Sequence, residues 1–339
     1  MIDLLVAGGG PAGLAVAIHA VRAGMEAVVL EPRAAPVDKA CGEGIMPSGV
    51  AALRSLGVDV PGHGLRGIRY VEGARHAEAT FGEGAGRGLG VRRTELHAAL
   101  HRRAVELGVR IVPGKAGEIR QDQDRVRTSG LTARWLVAAD GLHSPLRREL
   151  GLDRPGGGPR RYGLRRHYRI APWTDFVEVH WSRHGEAYVT PVGDDLVGVA
   201  VLSGDRRSHD EHLSAFPALA SLLHGRASGP VRGAGPLRQR ARTQRAGRVL
   251  LVGDAAGYVD ALTGEGIALA MATAAAAVGC LVSGRPQVYP ARWARLTRRH
   301  RLLTAGLLLA ARQPAAARLI VPAACRVPGV FRAAVRALQ

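Results

Sequence analysis

The feature that most limits what this chain can fold into is Gly8-x-Gly10-x-x-Gly13, set directly behind a short apolar run at residues 3–7. An apolar run without polar alternation predicts a buried parallel strand. Leu14 to Ala23 then reads as a helix stopped by Gly24, and Ala27 to Leu30 as a second strand ending at Glu31. Together these make one βαβ unit of about 30 residues, the size such a unit requires. In that setting each glycine has a task. Gly8 allows the tight turn after the strand, Gly10 lets the backbone approach a pyrophosphate, and Gly13 lets helix and strand pack closely. An anion then meets the positive end of the helix. Glu31 is placed to accept hydrogen bonds from ribose hydroxyls.

Downstream, Val50 to Leu56 and Thr94 to Leu107 read as helices closed by Gly57 and Gly108, and 109–112 and 135–139 as strands. The Gly-, Pro- and Arg-rich stretch 153–161 reads as a connection out of a first domain. From about 162 to 202 strands take over: 176–181 alternates, and 187–190 and 196–202 flank the turn Gly193-Asp194-Asp195. This predicts an antiparallel sheet. Residues 203–240 read as polar and turn-rich, 248–252 as another buried strand running into Gly253-Asp254, and 266–281 as a small-residue helix. The rest reads as basic helices interrupted at Pro314, Pro322 and Pro328. The expected fold is α/β: a Rossmann-like nucleotide domain from 1–62, 89–155 and 241–285, an inserted antiparallel β-sheet substrate domain from 63–88 and 156–240, and a C-terminal helical segment, 286–339.

The net charge of +19 raises the question of a polyanion partner. Nearly all of it is arginine, with Lys39 and Lys115 the only lysines, and aromatics are 4% of the chain. No basic run with interleaved aromatics occurs, so nucleic acid is not expected as a partner. A basic surface still favours phosphorylated cofactors or a negative membrane face. Leu302 to Leu309, flanked by Arg295, Arg298, Arg299, Arg301 and Arg312, fits either a membrane-surface helix or a helix packed on the core with arginines in solvent; the latter is the expectation. No apolar run reaches the ~20 residues a bilayer span needs. Cys41, Cys280 and Cys325 lack CxxC spacing, and the first residues read as a strand, not a signal peptide; both fit a reducing cytoplasm. Monomer and homodimer remain open.

Three separated segments resemble the FAD-dependent aromatic hydroxylase and geranylgeranyl-reductase superfamily, with the para-hydroxybenzoate hydroxylase type of fold. They are Gly8-Gly9-Gly10-Pro11-Ala12-Gly13 with Glu31-Pro32-Arg33; Ala138-Ala139-Asp140-Gly141-Leu142-His143-Ser144, similar to a DG motif; and Val252-Gly253-Asp254-Ala255-Ala256-Gly257 through Thr263-Gly264-Glu265-Gly266-Ile267, similar to a GD motif. Arg93-Thr94-Glu95-Leu96 matches an arginine-bearing helix start. The resemblance implies FAD, with Asp254 on a ribityl hydroxyl, Arg93 on the phosphates or ribityl chain, and Asp140 and Gly141 near the pyrophosphate or the nicotinamide approach. Backbone N–H groups at Gly264, Gly266 and Ile267 would face the flavin N1–C2=O edge, where donors and a helix dipole stabilise negative charge. The segment around Cys41 and Gly42 resembles a stretch near the isoalloxazine in the reductase branch; a small buried apolar role for Cys41 stands equally open.

Two activities share such a site. In the expected one, NADH or NADPH reduces FAD and a flavin C4a-hydroperoxide hydroxylates an aromatic, phenolic or polyketide-like natural product, O2 being the co-substrate. In the alternative, reduced FAD saturates a carbon–carbon double bond of an isoprenoid or other lipophilic substrate. The reductase branch carries a Y-x-W-x-F-P element, and here Tyr188-Val189-Thr190-Pro191 lacks its Trp and Phe, which favours monooxygenation. Tyr188 and Pro191 are the substrate-side candidates; no catalytic acid or base is assigned. A non-catalytic nucleotide-binding regulator is a further alternative. No metal is expected: His97 and His101 share a helix face but read as a solvent-facing pair, and His180 and His184 would lie ~13 Å apart on a continued strand. G-x-S-x-G, P-loop and W-x-W-x-I-P elements are absent.

Overall fold

In a computed structural model of the chain, residues 1–82, 84–155, 157–158 and 160–337 are described. Gly156 and Pro159 of the expected 153–161 connection, and the last two residues of the C-terminal segment, lie outside them.

The strand Ile2–Ala7 is the middle of a sheet. It pairs in parallel with Ala27–Glu31 on one side and Leu131–Ala138 on the other; Arg110–Pro113 and Val249–Leu251 extend the parallel order outward. Leu4, Leu5 and Val6 are fully buried, as the unalternating sequence requires. Helix Pro11–Arg22 starts immediately after the loop, with Pro11 in the first turn, where no N–H is needed. Arg93–Glu106 and the alanine-rich Gly266–Val282 pack beside it. The small side chains of that last helix let it approach closely enough to share one apolar core with the sheet.

A second sheet has seven strands in the order Ala227–Ala234, Tyr162–Arg169, Leu196–Ser203, Gly185–Pro191, Phe176–Ser182, Gly67–Glu72 and Arg75–Thr80. It departs from the expected antiparallel sheet at one junction: Phe176–Ser182 runs parallel to Gly67–Glu72, with Phe176 opposite Gly67 and His180 opposite Val71. The hairpin at 67–80 arrives from earlier in the chain, so no tight turn dictates its direction. The edge strand 227–234 falls where turns were expected. It is largely exposed and contains Pro230, which an edge tolerates because one row of N–H groups faces solvent.

Alternation along Gly185–Pro191 gives the sheet two different faces. Ala187 and Val189 join Val199, Phe216 and Leu219 under the short helices His209–Leu213 and Pro217–Leu223. Tyr188 points the other way, into a cluster with Trp181, Leu202, Leu308 and Val321. That side is roofed by the C-terminal helices Tyr289–Arg312, Ile320–Arg326 and Pro328–Arg336. The long helix buries Tyr289, Trp293, Thr297, His300, Thr304 and Leu308, a 3–4 spacing that forms one stripe. This stripe packs on the core, while the helix's arginines, with Leu302 and Leu309, face outward. No helix among the described residues is long and apolar enough to cross a membrane.

Candidate active site

The glycine loop is tightly constrained. Gly8 has φ +105°, and a Cβ there would sit 2.5 Å from the Ala139 carbonyl oxygen. A Cβ on Gly13 would lie 1.8 Å from the Gly8 carbonyl oxygen, so only glycine allows the helix to lie this close to the strand end. Gly9, a variable position of the motif, is also constrained: its Cβ would meet Glu31 at 2.9 Å, and its N–H donates to Glu31 Oε2 at 2.9 Å. Glu31 also accepts from the Arg33 N–H at 3.1 Å and from Arg33 Nε at 2.7 Å. Burial opposes ionisation of Glu31, but the Arg33 guanidinium and the two backbone donors outweigh it and hold the carboxyl below its ordinary value.

Asp140, after the strand 131–138, accepts from the Leu146 N–H at 3.1 Å, while its Oδ1 is buried with no protein partner. Burial pushes its carboxyl up, partly offset by Ser144 and the Leu146 N–H. Arg93 is buried at the start of its helix, with Nη1 also unpartnered. Two orphaned polar atoms of opposite character, beside a glycine backbone that has no room for a side chain, fit a cofactor carrying both phosphates and hydroxyls. The residues present therefore suit FAD.

These groups border one cavity of about 1330 Å³. Single-ligand pockets run to about 1,000 Å³, so there is space for a cofactor and a second molecule. Gly8, Gly10, Pro11, Ala12, Glu31, Pro32, Arg33, Arg93, Asp140, Gly141, Asp254, Gly264, Gly266 and Ile267 line it, as do Cys41, Gly42 and Tyr188. Gly13 and Gly253 do not: Gly13 is packed under the loop, and a Cβ on Gly253 would meet Ala12 at 2.8 Å. Pro191 is not a lining residue either. It ends its strand against Gly90, whose Cβ would lie 1.7 Å from the Pro191 carbonyl oxygen, so its place is in packing and not toward a substrate.

Several side chains have partners here that the sequence did not indicate. His97, expected in solvent, is buried: its Nε2 contacts the Gly9 carbonyl at 2.9 Å. A carbonyl only accepts, so Nε2 carries the proton. Nδ1 is left buried without a partner, and burial, with Arg93 nearby, lowers the histidine pKa to about 4. Arg147 is fully buried and ties the two aspartate motifs together, donating to the Ala255 carbonyl at 3.0 Å, to Gln239 at 2.8 Å and to Asp153 at 2.7 Å. Glu43, at φ +61°, accepts from the Arg93 N–H at 2.8 Å and from His167 Nε2 at 2.7 Å. Arg165 donates to His167 Nδ1 at 3.1 Å, which fixes the histidine proton on Nε2 and leaves Glu43 the acceptor. Gly198 makes room for this pair, since its Cβ would meet Glu43 Oε2 at 2.7 Å. His300, on the long C-terminal helix, bonds Glu265 and Thr263, anchoring that helix to the Gly264 loop. His180 pairs with Glu178 at 3.1 Å, and His184 lies beyond the end of the strand. No group of three metal-ligating side chains occurs among the described residues.

Away from the cradle the lining turns aliphatic and aromatic: Ile68, Tyr70, Val177, Leu303, Leu307 and Phe331 form its walls. Tyr70 and Phe331 meet with ring centroids 4.5 Å apart. Tyr188 hydroxyl donates to the Leu262 carbonyl at 2.9 Å. Cys41 lines the same cavity near Arg93 and Glu43, and burial pushes its thiol pKa up, so it holds its proton at neutral pH.

A dinucleotide cradle built from three distant segments, opening on a second chamber, defines a flavin-dependent oxidoreductase. Residues 1–183 match the FAD binding domain family. Menaquinone reductase of Mycobacterium tuberculosis is 32% identical over 78% of this chain and 72% of that protein. A 3-amino-4-hydroxybenzoate 2-monooxygenase of Streptomyces platensis is 33% identical over 45% of this chain and 42% of its own length. The fold superposes on a flavoprotein/dehydrogenase from Cytophaga hutchinsonii with a TM-score of 0.84 and 17% identity, over 99% of this chain and 92% of that one. The chain belongs to the FAD-dependent monooxygenase and geranylgeranyl reductase superfamily and is an FAD-dependent oxidoreductase. The non-catalytic reading finds no support in relatives named as reductases and monooxygenases.

Proposed function

We propose that the chain is a reductase that saturates a carbon–carbon double bond in a long, apolar, isoprenoid-like substrate, with NADH or NADPH as the source of electrons. The observation that carries this reading is the aliphatic chamber continuous with the flavin cradle. A polar phenol would leave most of that wall uncovered, whereas a prenyl chain would cover it. The relative named menaquinone reductase, matched over most of both chains, supports a lipophilic substrate. Reduced FAD, when bound, supplies a hydride. The chain's own part is to line up the alkene, exclude water and hold a proton nearby; on this reading the neutral thiol of Cys41, a lining residue of the cavity, holds it. Glu43, fixed by Arg93 and His167, sets the backbone beyond Cys41.

A second reading, hydroxylation of an aromatic ring with O2, is favoured by the missing Trp and Phe after Tyr188 and by the aromatic monooxygenase among the relatives. One experiment separates the two. FAD-loaded protein is photoreduced without oxygen and mixed with a polyprenyl alcohol or, in parallel, with a prenylated phenol, neither of which has a quinone ring to take up the electrons. Oxidation of the flavin with a product two mass units heavier supports reduction. A flavin that stays reduced until oxygen enters, followed by a product gaining one oxygen atom, overturns it in favour of hydroxylation.

A further inference from the structure

Beyond Glu265 the sequence carries eleven arginines, from Arg285 to Arg336, and no lysine, aspartate or glutamate. Among the described residues none of these arginines makes an ion pair. The folded helices gather three of them: Arg299 of the long helix and Arg332 and Arg336 of the last one line a single surface cleft. Like charges brought together without counter-charge repel, so this arrangement favours an anionic surface laid across it.

The same helices expose aliphatic side chains. Leu302 is 63% exposed, Val327 51% and Val330 66%, and all three also line the chamber. They therefore mark its mouth on the outer surface. Leu309 and Leu319 are exposed nearby but are not lining residues. On the long helix Arg295, Arg299, Leu302 and Leu309, spaced by four, three and seven residues, follow one stripe opposite the buried Trp293, Thr297, His300 and Thr304. Arginines beside exposed aliphatics, with no acidic residue among them, are complementary to phosphate head groups above acyl chains. Nucleic acid would neutralise the arginines and leave the leucines and valines wet.

We propose that this face of the C-terminal helices docks on an anionic phospholipid bilayer, with the chamber mouth at Leu302, Val327 and Val330 turned toward the acyl chains. This deepens the functional reading above and rests on it for one point, that the substrate is apolar and resides in the membrane. Docking itself does not depend on the reaction.

The test is co-sedimentation of the full, FAD-loaded chain, oxidised and without reductant, with vesicles of phosphatidylcholine alone or with about one third phosphatidylglycerol, at physiological salt. Binding to the anionic vesicles is expected, with little to the neutral ones. The triple variant Arg299→Gln, Arg332→Gln, Arg336→Gln is expected to bind about 100-fold more weakly, at about fivefold per arginine. The double variant Leu309→Ser, Leu319→Ser, outside the chamber lining, is expected to lose about tenfold. A retained flavin spectrum shows that each variant is folded. No binding to anionic vesicles, or binding unchanged in the triple variant, overturns the proposal. So does displacement from vesicles by duplex DNA at equal phosphate concentration with the leucine variant unaffected. Because no turnover is measured, failure here is distinguishable from failure to reduce an alkene.

Discussion

At the cradle end of the cavity the molecule works with backbone: Gly8, Gly9 and Gly13 leave no space for a methyl group, and the polar partners are N–H groups and a few fixed charges. At the chamber end it works with side chains brought from four regions, Tyr70, Val177, Leu303 and Phe331 among them. At Gly8 and Gly13 the first surface tolerates no added atom, because main-chain atoms that cannot rotate away stand in the path. The second can exchange one apolar residue for another and change which chain it accepts. One cofactor and a variable substrate ask for that division.

The sharpest way to break the comparison is Gly13→Val. A side chain aimed at the Gly8 carbonyl should cost about 3 kcal/mol or more and yield protein without flavin colour, read by absorbance and thermal melting. Arg93→Ala should next weaken FAD binding by about 100-fold, as expected for losing a charged hydrogen-bond donor, with a smaller change in melting; equilibrium titration of apoprotein measures it. At the other end, Ala310→Phe, on the chamber wall, should raise KM for a long prenyl substrate about tenfold and leave FAD affinity within about twofold. Equal damage to both would mean the two ends are not separable.

A smaller effect concerns pH. Folding lowers the His97 pKa from 6.5 to about 4. Between those values the unfolded chain binds the extra proton, so stability is full above pH 6.5 and falls as pH drops toward 4. The loss should be on the order of 1–2 kcal/mol after solvent screening, and His97→Gln should flatten that part of the melting-temperature profile.

The cradle was legible in the sequence because each constraint there selects a residue type: no Cβ at Gly8 and Gly13, a carboxylate after the second strand, aspartates at two further strand ends. The chamber was not, since Ile68, Val177 and Phe331 obey only local rules until the chain brings them together. His97 was read as a surface residue because a helix face gives its direction but not what covers it; the Gly9 carbonyl does so from 88 residues away. Similarly, nothing near Gly67–Glu72 announces a parallel partner, and the polar strand 227–234 lacks the apolar alternation that marks a strand. Glu43 stood inside a segment already noted, yet its role depends on His167, far along the chain.

The parallel junction between 67–72 and 176–182 also bears on how the chain is made. On a ribosome adding about 5–20 residues per second, the hairpin at 67–80 emerges several seconds before the strand that will cover its flank. Until then the edge of 67–72 has no strand beside it, and the face carrying Ala77, Ala79 and Phe81 waits longer still for the helices Ile320–Arg326 and Pro328–Arg336. That interval is when the nascent chain is most open to capture by a chaperone or by another copy, and slowing translation between the two strands should lower the yield of soluble product.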